Sequence, residues 1–289
     1  VYRLYTNEPT IPDIDGFDTA GFLERHGVEH IVLPYASKPP AGYFGAWANQ
    51  FYVLDVATHL ADTLPEADAV GILLDSDCVF TRPVGPLVEA ARTHGALTFD
   101  ARIGPDEEQN GLTPRQMGRI YADLGGFSGD GADPIPAYVG GEIVAGTRDA
   151  LRAVTDEAAS LWPEMLRRHE AGLPKFNEEA HLLSFVYHRL GYSVGTADPF
   201  IDRIYTWFTG ANVRPGHERM MIWHLPNEKR LGLRRLFRAV RDEASWFWTL
   251  PADAWRDRLG RTLGVPSRTP TKWLLDLGRA VRDKVERPA

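Results

Sequence analysis

Apolar and polar positions follow a regular rhythm over the first hundred residues. Tyr2 to Thr6 alternates with the two-residue period of a short strand, Phe17 to His26 carries a helical pattern, and His30 to Pro34 is an apolar strand. Phe51, Leu54, Ala57 and Leu60 recur at helical spacing within Tyr43 to Asp62, which predicts a longer helix. Ala69 to Leu74 contains no polar side chain, suiting a central strand buried on both faces, and it ends at Asp75-Ser76-Asp77. Val84 to His94 reads as a helix and Ala96 to Phe99 as a strand. Strands alternating with helices in this way predict an α/β fold, with a mainly parallel sheet and crossover helices.

Gly104 to Ala137 breaks the rhythm, with seven glycines among acidic and polar residues, and is expected to be a structureless mobile lid. Regular pattern resumes as a strand over Ala137 to Ala145, a helix over Arg148 to His169, and a helix opening at Asn177 and ending at Gly191. After Ile222 the character changes. Leu233, Leu236, Phe237, Val240, Ala244 and Phe247 mark one helical face, and Trp273, Leu277, Val281 and Val285 another. The expected organisation is a catalytic α/β domain over 1–227, with 104–137 as its lid. A helical, Trp-rich appendage over 228–289 is expected to pack back on that body.

Charge sharpens this division. The net charge is −7, but residues 228–289 hold 15 Lys and Arg against 8 Asp and Glu, leaving 17 against 31 in the first 227 residues. The tail is therefore +7 and the body −14, and an acidic body argues against nucleic-acid binding. A basic tail suits an anionic partner, or equally a solvated helical surface that balances the body. Cys78 stands alone, so no intramolecular disulfide or cysteine-based zinc site is expected. No apolar run is long enough to span a bilayer and no leader is evident at Val1, so a cytoplasmic protein is expected.

The sharpest chemical feature is Gly71-Ile-Leu-Leu-Asp75-Ser76-Asp77-Cys-Val-Phe80, an apolar strand delivering two carboxylates at its carboxyl end. Ligands bind at that end of open α/β sheets, and two hard oxygen donors there suit a Mg²⁺ or Mn²⁺ that in turn binds a diphosphate. Haloacid-dehalogenase-like phosphatases also place Asp-x-Asp after a strand, with the first Asp as nucleophile, and Gly129-Asp130-Gly131-Ala132-Asp133 is similar to their later loop. However, no Lys occurs between Lys38 and Lys175, and the loop follows Gly125-Gly126-Phe127-Ser128 instead of an apolar strand.

Three segments, the Asp-x-Asp strand among them, agree in order with nucleotide-sugar glycosyltransferases of the GT-A fold. Leu74-Asp-Ser-Asp-Cys-Val-Phe80 resembles the Asp-x-Asp strand of the histo-blood-group and α-1,3-galactosyltransferase family. Tyr138-Val-Gly140-Gly141-Glu142-Ile-Val-Ala-Gly146 resembles its Tyr-x-Gly-Gly-x-x-x-x-Gly segment, and Phe176-Asn-Glu178-Glu179-Ala-His181-Leu182 its aromatic-x-acid-Glu-x-His-Leu segment. The resemblance spans about 110 residues of the chain. It implies a Rossmann-like GT-A sheet and assigns Glu179 to the carboxylate beneath the anomeric carbon, as nucleophile or cation stabiliser. It assigns Glu178 to sugar hydroxyls, Phe176 to an aromatic wall for the acceptor, and Gly140, Gly141, Glu142 and His181 to the donor and acceptor sugars. Each segment also has a plain structural reading. The glycine pair suits a bulge or turn, and Asn177 suits a helix N-cap with Glu178 and Glu179 in the favourable first turn.

Farther on, Trp223-His224-Leu-Pro-Asn227-Glu-Lys229-Arg230 resembles the His-x-x-Gly-x-x-Lys region of glycogenin-like and lipooligosaccharide galactosyltransferases, with Asn227 in place of Gly and Lys229 one residue early. The resemblance implies His224 as third metal ligand and Lys229 or Arg230 as phosphate clamp. Position alone assigns Thr6 and Asn7 to the nucleotide and Ser76 to its diphosphate, with Asn49 and Gln50 as further candidates or as solvent-facing residues. The expected activity is a metal-dependent glycosyltransferase using Mn²⁺ or Mg²⁺. It would move a hexose, with retention, from a UDP- or GDP-sugar to a glycan, lipid-linked or small-molecule acceptor. A phosphatase using Asp75 and a non-catalytic binding scaffold are the alternatives. A packed tail is favoured over peripheral membrane contact.

Overall fold

The alternation at the start of the chain becomes β1 (Tyr2–Thr6) in the computed structural model, which describes residues 1–127, 135–207 and 210–285. Helix α1 (Thr19–Arg25), capped by the Asp18 carboxylate accepting from Gly21 N at 2.8 Å, leads to β2 (Val28–Val32), which pairs with β1 in parallel. The long helix expected from Tyr43 opens as a 3-10 turn over Gly45–Phe51 and becomes α2 (Tyr52–Thr63). Then follow β3 (Val70–Leu74), β4 (Cys78–Phe80), α3 (Gly85–His94), β5 (Ala96–Asp100), α4 (Pro114–Asp123), β6 (Val139–Thr147), α5 (Arg148–Glu170) and α6 (Glu179–Arg189). The last part of the chain carries β7 (Ile201–Arg203), β8 (Ile222–His224), α7 (Gly232–Val240), α8 (Trp246–Thr249), α9 (Ala252–Leu263) and α10 (Pro270–Val285).

Contacts divide the chain into two units, Val1–Leu74 with Gly85–Asp198, and Asp75–Val84 with Pro199–Ala289. The boundary expected at 227/228 falls inside the second unit. The reason is packing: Trp223 and Leu225 share one buried cluster with Leu236, Leu259 and Leu263, so the tail helices and the segment around β8 have a common core.

The mixed α/β class stands, but a single mainly parallel sheet is not what these strands form. Among the described residues there are three small sheets, β1-β2, β3-β6-β5 and β4-β8-β7, and both pairings of β6 are antiparallel. Within the first unit β6 is the central strand, and β3 is an edge, partly exposed along four of its five residues. An unbroken apolar run shows that a strand is covered, but not which neighbours it has or their direction. The unit's core lies among α2, α5, α6 and α4, with Phe51, Leu151, Met165, Phe185 and Tyr121 fully enclosed.

The expected lid is also corrected in part. Residues 114–123 form α4, opened by a capping box in which Thr113 Oγ1 accepts from Gln116 N at 3.2 Å and Gln116 Oε1 accepts from Thr113 N at 2.8 Å. Met117, Ile120 and Tyr121 on this helix are buried, so the segment contributes to the core. The part of the proposed lid over 128–134, including the phosphatase-like loop at 129–133, lies outside the described residues.

In the second unit α10 is turned the other way from its sequence expectation. Trp273, Leu277 and Val281 are 43, 37 and 55% exposed, whereas Lys272 and Asp276 are buried. Lys272 Nζ lies 2.8 Å from Glu228 Oε1 and 2.5 Å from Asp276 Oδ2, and Arg235 donates to Asp276 Oδ1 at 2.9 Å. Buried charges are tolerated there because each meets its opposite. No helix among the described residues is long and apolar enough to cross a membrane.

Candidate metal centre and acidic cluster

Asp75, Ser76 and Asp77 form the tight turn between β3 and β4, closed by Cys78 N donating to Asp75 O at 3.0 Å. Strand β4 runs antiparallel to β8 with Cys78 opposite His224, and Leu225 N donates to Asp77 O at 3.1 Å. That register brings the last side chain of β8 to the turn. One donor atom each from Asp75, Asp77 and His224 lies within 4.8 Å of the other two, all inside the second unit.

Asp77 is 1% exposed, and His224 Nε2 sits 3.3 Å from its Oδ1 and 3.7 Å from Asp75 Oδ2. On the other side Lys229 Nζ lies 3.1 Å from Asp77 Oδ2. Burial pushes the Asp77 carboxyl up, but the His224 imidazole and the Lys229 ammonium together outweigh it and hold it below the usual carboxylate range. Although His224 and Lys229 are near, neither Asp77 oxygen has a hydrogen bond of good geometry among the described residues. A buried carboxylate in that condition fits a further cation, and two carboxylates with an imidazole could hold a metal ion. Ser76 is exposed at the turn, and Arg230 is exposed at the end of the 3-10 turn Pro226–Arg230.

A second polar cluster is built entirely within the first unit, where β6 meets the start of α6. Glu178, not Asn177, is the N-cap of α6, and its side chain does not cap the helix. Its carboxylate accepts from the Tyr138 hydroxyl and the Asn110 amide. With its amide nitrogen facing the acids, Gln50 donates to Glu178 Oε2 at 3.0 Å and Glu179 Oε2 at 2.8 Å, so it serves the cluster and not solvent. The Gly140-Gly141 pair makes room for carboxylates: a Cβ on Gly141 would lie 2.6 Å from Glu179 Oε1, and one on Gly140 2.2 Å from Glu142 Oε2. Neither glycine has a positive φ, so no turn requires them; Gly140 pairs with Phe99 at a register shift between β6 and β5, which agrees with the expected bulge, and close approach of the carboxylates adds a second reason for glycine.

Two residues assigned to sugar or acceptor are struts. Phe176 has no exposed surface and packs its ring against Phe185 and Tyr121, at centroid distances of 5.7 and 5.8 Å, so it offers no acceptor wall. His181 is equally enclosed, with Nε2 3.1 Å from Gln109 O and Nδ1 accepting from Asn177 N at 3.4 Å. Burial lowers its pKa to about 3, so the ring is neutral and fixed. Asn177 Nδ2 also donates to Asn110 O at 3.0 Å, which ties the Asn110-Gly111 turn to the cluster. Thr6 and Asn7 belong to the first unit too; the Thr6 hydroxyl is engaged by Glu8 O at 2.6 Å and His30 Nε2 at 2.7 Å, and Asn7 is exposed.

Sequence reading overlooked Asn110, Tyr138 and Lys175. Tyr138 stood within a quoted segment, but Asn110 was absorbed into the supposed lid, where only its Asn-Gly pairing hinted at an ordered turn. Lys175 is buried, with Nζ 2.8 Å from Tyr43 O, 3.1 Å from Asn177 Oδ1 and 3.7 Å from the centre of the Tyr43 ring, and burial lowers its pKa to about 8. Comparison of the sequence with protein-family models and with curated proteins returns no match.

Proposed function

We propose that the protein is a metal-dependent glycosyltransferase of GT-A type that moves a hexose from a nucleoside diphosphate sugar to an acceptor hydroxyl, with retention. The observation carrying this reading is the convergence of Asp75, Asp77 and His224, with both Asp77 oxygens buried and lacking a well-formed hydrogen bond. Asp75, Asp77 and His224 are the residues that would hold Mn²⁺ or Mg²⁺. When bound, the ion supplies Lewis-acid neutralisation of the leaving diphosphate. Lys229, whose side chain is 56% exposed, adds a positive charge at the same carboxylate and is the phosphate clamp in this reading.

The bond that breaks joins the anomeric carbon to a diphosphate oxygen; the diphosphate leaves with the electron pair, the acceptor oxygen takes its place, and the acceptor's hydroxyl proton passes to the departing diphosphate. Glu179 is the carboxylate assigned to the positive charge that develops at that carbon, either as stabiliser or as nucleophile. Its setting supports the role, because Gln50 donates to a largely buried acid and the missing side chain of Gly141 leaves room for it. Glu178, held by Tyr138 and Asn110, is assigned to sugar hydroxyls.

A panel of UDP- and GDP-sugars, incubated with Mn²⁺ and followed for nucleoside diphosphate release, tests the activity. One donor should be turned over by the wild type, with turnover lowered at least a hundredfold in Glu179→Gln while nucleotide binding is retained. Release of inorganic phosphate from simple phosphomonoesters, with no nucleotide-sugar consumed, would contradict the reading.

A further inference from the structure

The second unit contains a cavity of about 470 Å³ that is apart from the candidate metal ligands and is lined by Arg235, Arg258, Arg261, Lys272, Thr271 and Trp246, among others. Its wall carries four cations and no carboxylate. Two of those charges are already met from behind, since Arg235 and Lys272 bond to Asp276, and Lys272 also to Glu228. Arg258 and Arg261 are different. They stand three residues apart on α9, both exposed, and neither has a carboxylate partner among the described residues. Like charges at that spacing on one helix face repel each other. The Arg258 guanidinium lies 5.9 Å from the centre of the Trp246 ring, which helps to orient it at the cavity wall.

We infer that this cavity is a phosphate-binding site, in which Arg258 and Arg261 take the oxygens of one phosphate group and Thr271 adds a hydroxyl donor. Two guanidiniums offer paired N–H donors in the planar geometry that phosphate oxygens accept, and a phosphate carries enough charge to neutralise both. A single carboxylate would leave one of them unmet. Leu275, 53% exposed, and the Trp246 ring give the cavity an apolar wall, so the phosphate can belong to an organic body. The same chemistry is presented by a phospholipid headgroup and by a soluble phosphate. The inference stands independently of the glycosyltransferase reading, because it uses none of that site's residues.

The test uses the full chain in the presence of a chelator, so that no divalent ion occupies Asp75, Asp77 and His224. Inorganic phosphate and pyrophosphate are titrated by calorimetry, and co-sedimentation is measured with phosphatidylglycerol and phosphatidylcholine vesicles. Arg258→Gln/Arg261→Gln is compared with Arg234→Gln/Arg238→Gln, which removes the same charge from exposed positions on α7. The site predicts binding that weakens at least tenfold in the first variant and less than twofold in the second, with unchanged far-ultraviolet circular dichroism in both. Binding to phosphatidylglycerol vesicles but not to the soluble anions identifies the lipid headgroup as the source, and binding to the soluble anions identifies free phosphate. Equal loss in the two variants would reduce the effect to net charge and overturn the site. So would unchanged binding in Arg258→Gln/Arg261→Gln, or a wild type that binds none of the probes.

Discussion

His181 is fully enclosed between Gln109, Asn177 and the Tyr138 ring, and its neutrality has a measurable cost in acid. The unfolded chain takes up a proton on this imidazole near pH 6.5, whereas burial delays uptake in the folded chain to about 3. Between those values the unfolded state binds more protons, so the contribution is fully present above pH 6.5 and is lost as the pH falls towards 3. Urea midpoints measured from pH 7 to 4 should therefore fall more steeply in the wild type than in His181→Gln; parallel profiles would refute the role given to burial. The grouping of Asp75, Asp77 and His224 as candidate ligands was legible in the sequence because each sits in a short local pattern of suitable residue types. Phe176 and His181 were misread because their pattern resembles a site while only packing decides whether a side chain can reach a ligand. Asn110 and Lys175 were missed for the related reason that their partners are distant in sequence.

At the scale of elements, period and turn chemistry carried much of the information. The strand Tyr2–Thr6 matches its expected bounds, and α3, α5 and β5 lie within two residues of theirs. What the pattern did not carry was neighbour choice, so β3 was expected at the centre of a parallel sheet and instead forms an edge of an antiparallel one. Glycine count also misled over 104–137, since α4 is specified by the Thr113/Gln116 capping box and by Met117, Ile120 and Tyr121. Thr113→Ala should lower stability by about 1 kcal/mol, the usual worth of an N-cap hydroxyl, in chemical denaturation. An unchanged midpoint would mean that buried contacts alone hold α4. The amphipathic reading of α10 failed because satisfied ions, Lys272 with Glu228 and Asp276, occupy the face that apolar residues were expected to fill.

Over the whole chain, the charge asymmetry follows the two units. The unit made of Asp75–Val84 and Pro199–Ala289 holds 19 Lys and Arg against 12 Asp and Glu, and the other holds 13 against 27. The candidate metal ligands therefore belong to the unit of net charge +7, and not to the acidic portion in which the linear division had put them. A basic unit attracts a diphosphate over distance, while Asp75 and Asp77 repel it locally unless a divalent ion lies between. On the proposed reading, nucleotide binding would therefore depend on the metal. The direct test is calorimetric titration of Mn²⁺ into the chelator-treated protein with UDP or GDP present, for the wild type and for Asp77→Asn. The wild type should bind one Mn²⁺ per chain and show nucleotide binding that disappears without the ion, and Asp77→Asn should lose both at least a hundredfold while remaining folded. Equal Mn²⁺ affinity in the two proteins, or nucleotide binding that ignores the ion, would contradict the metal centre.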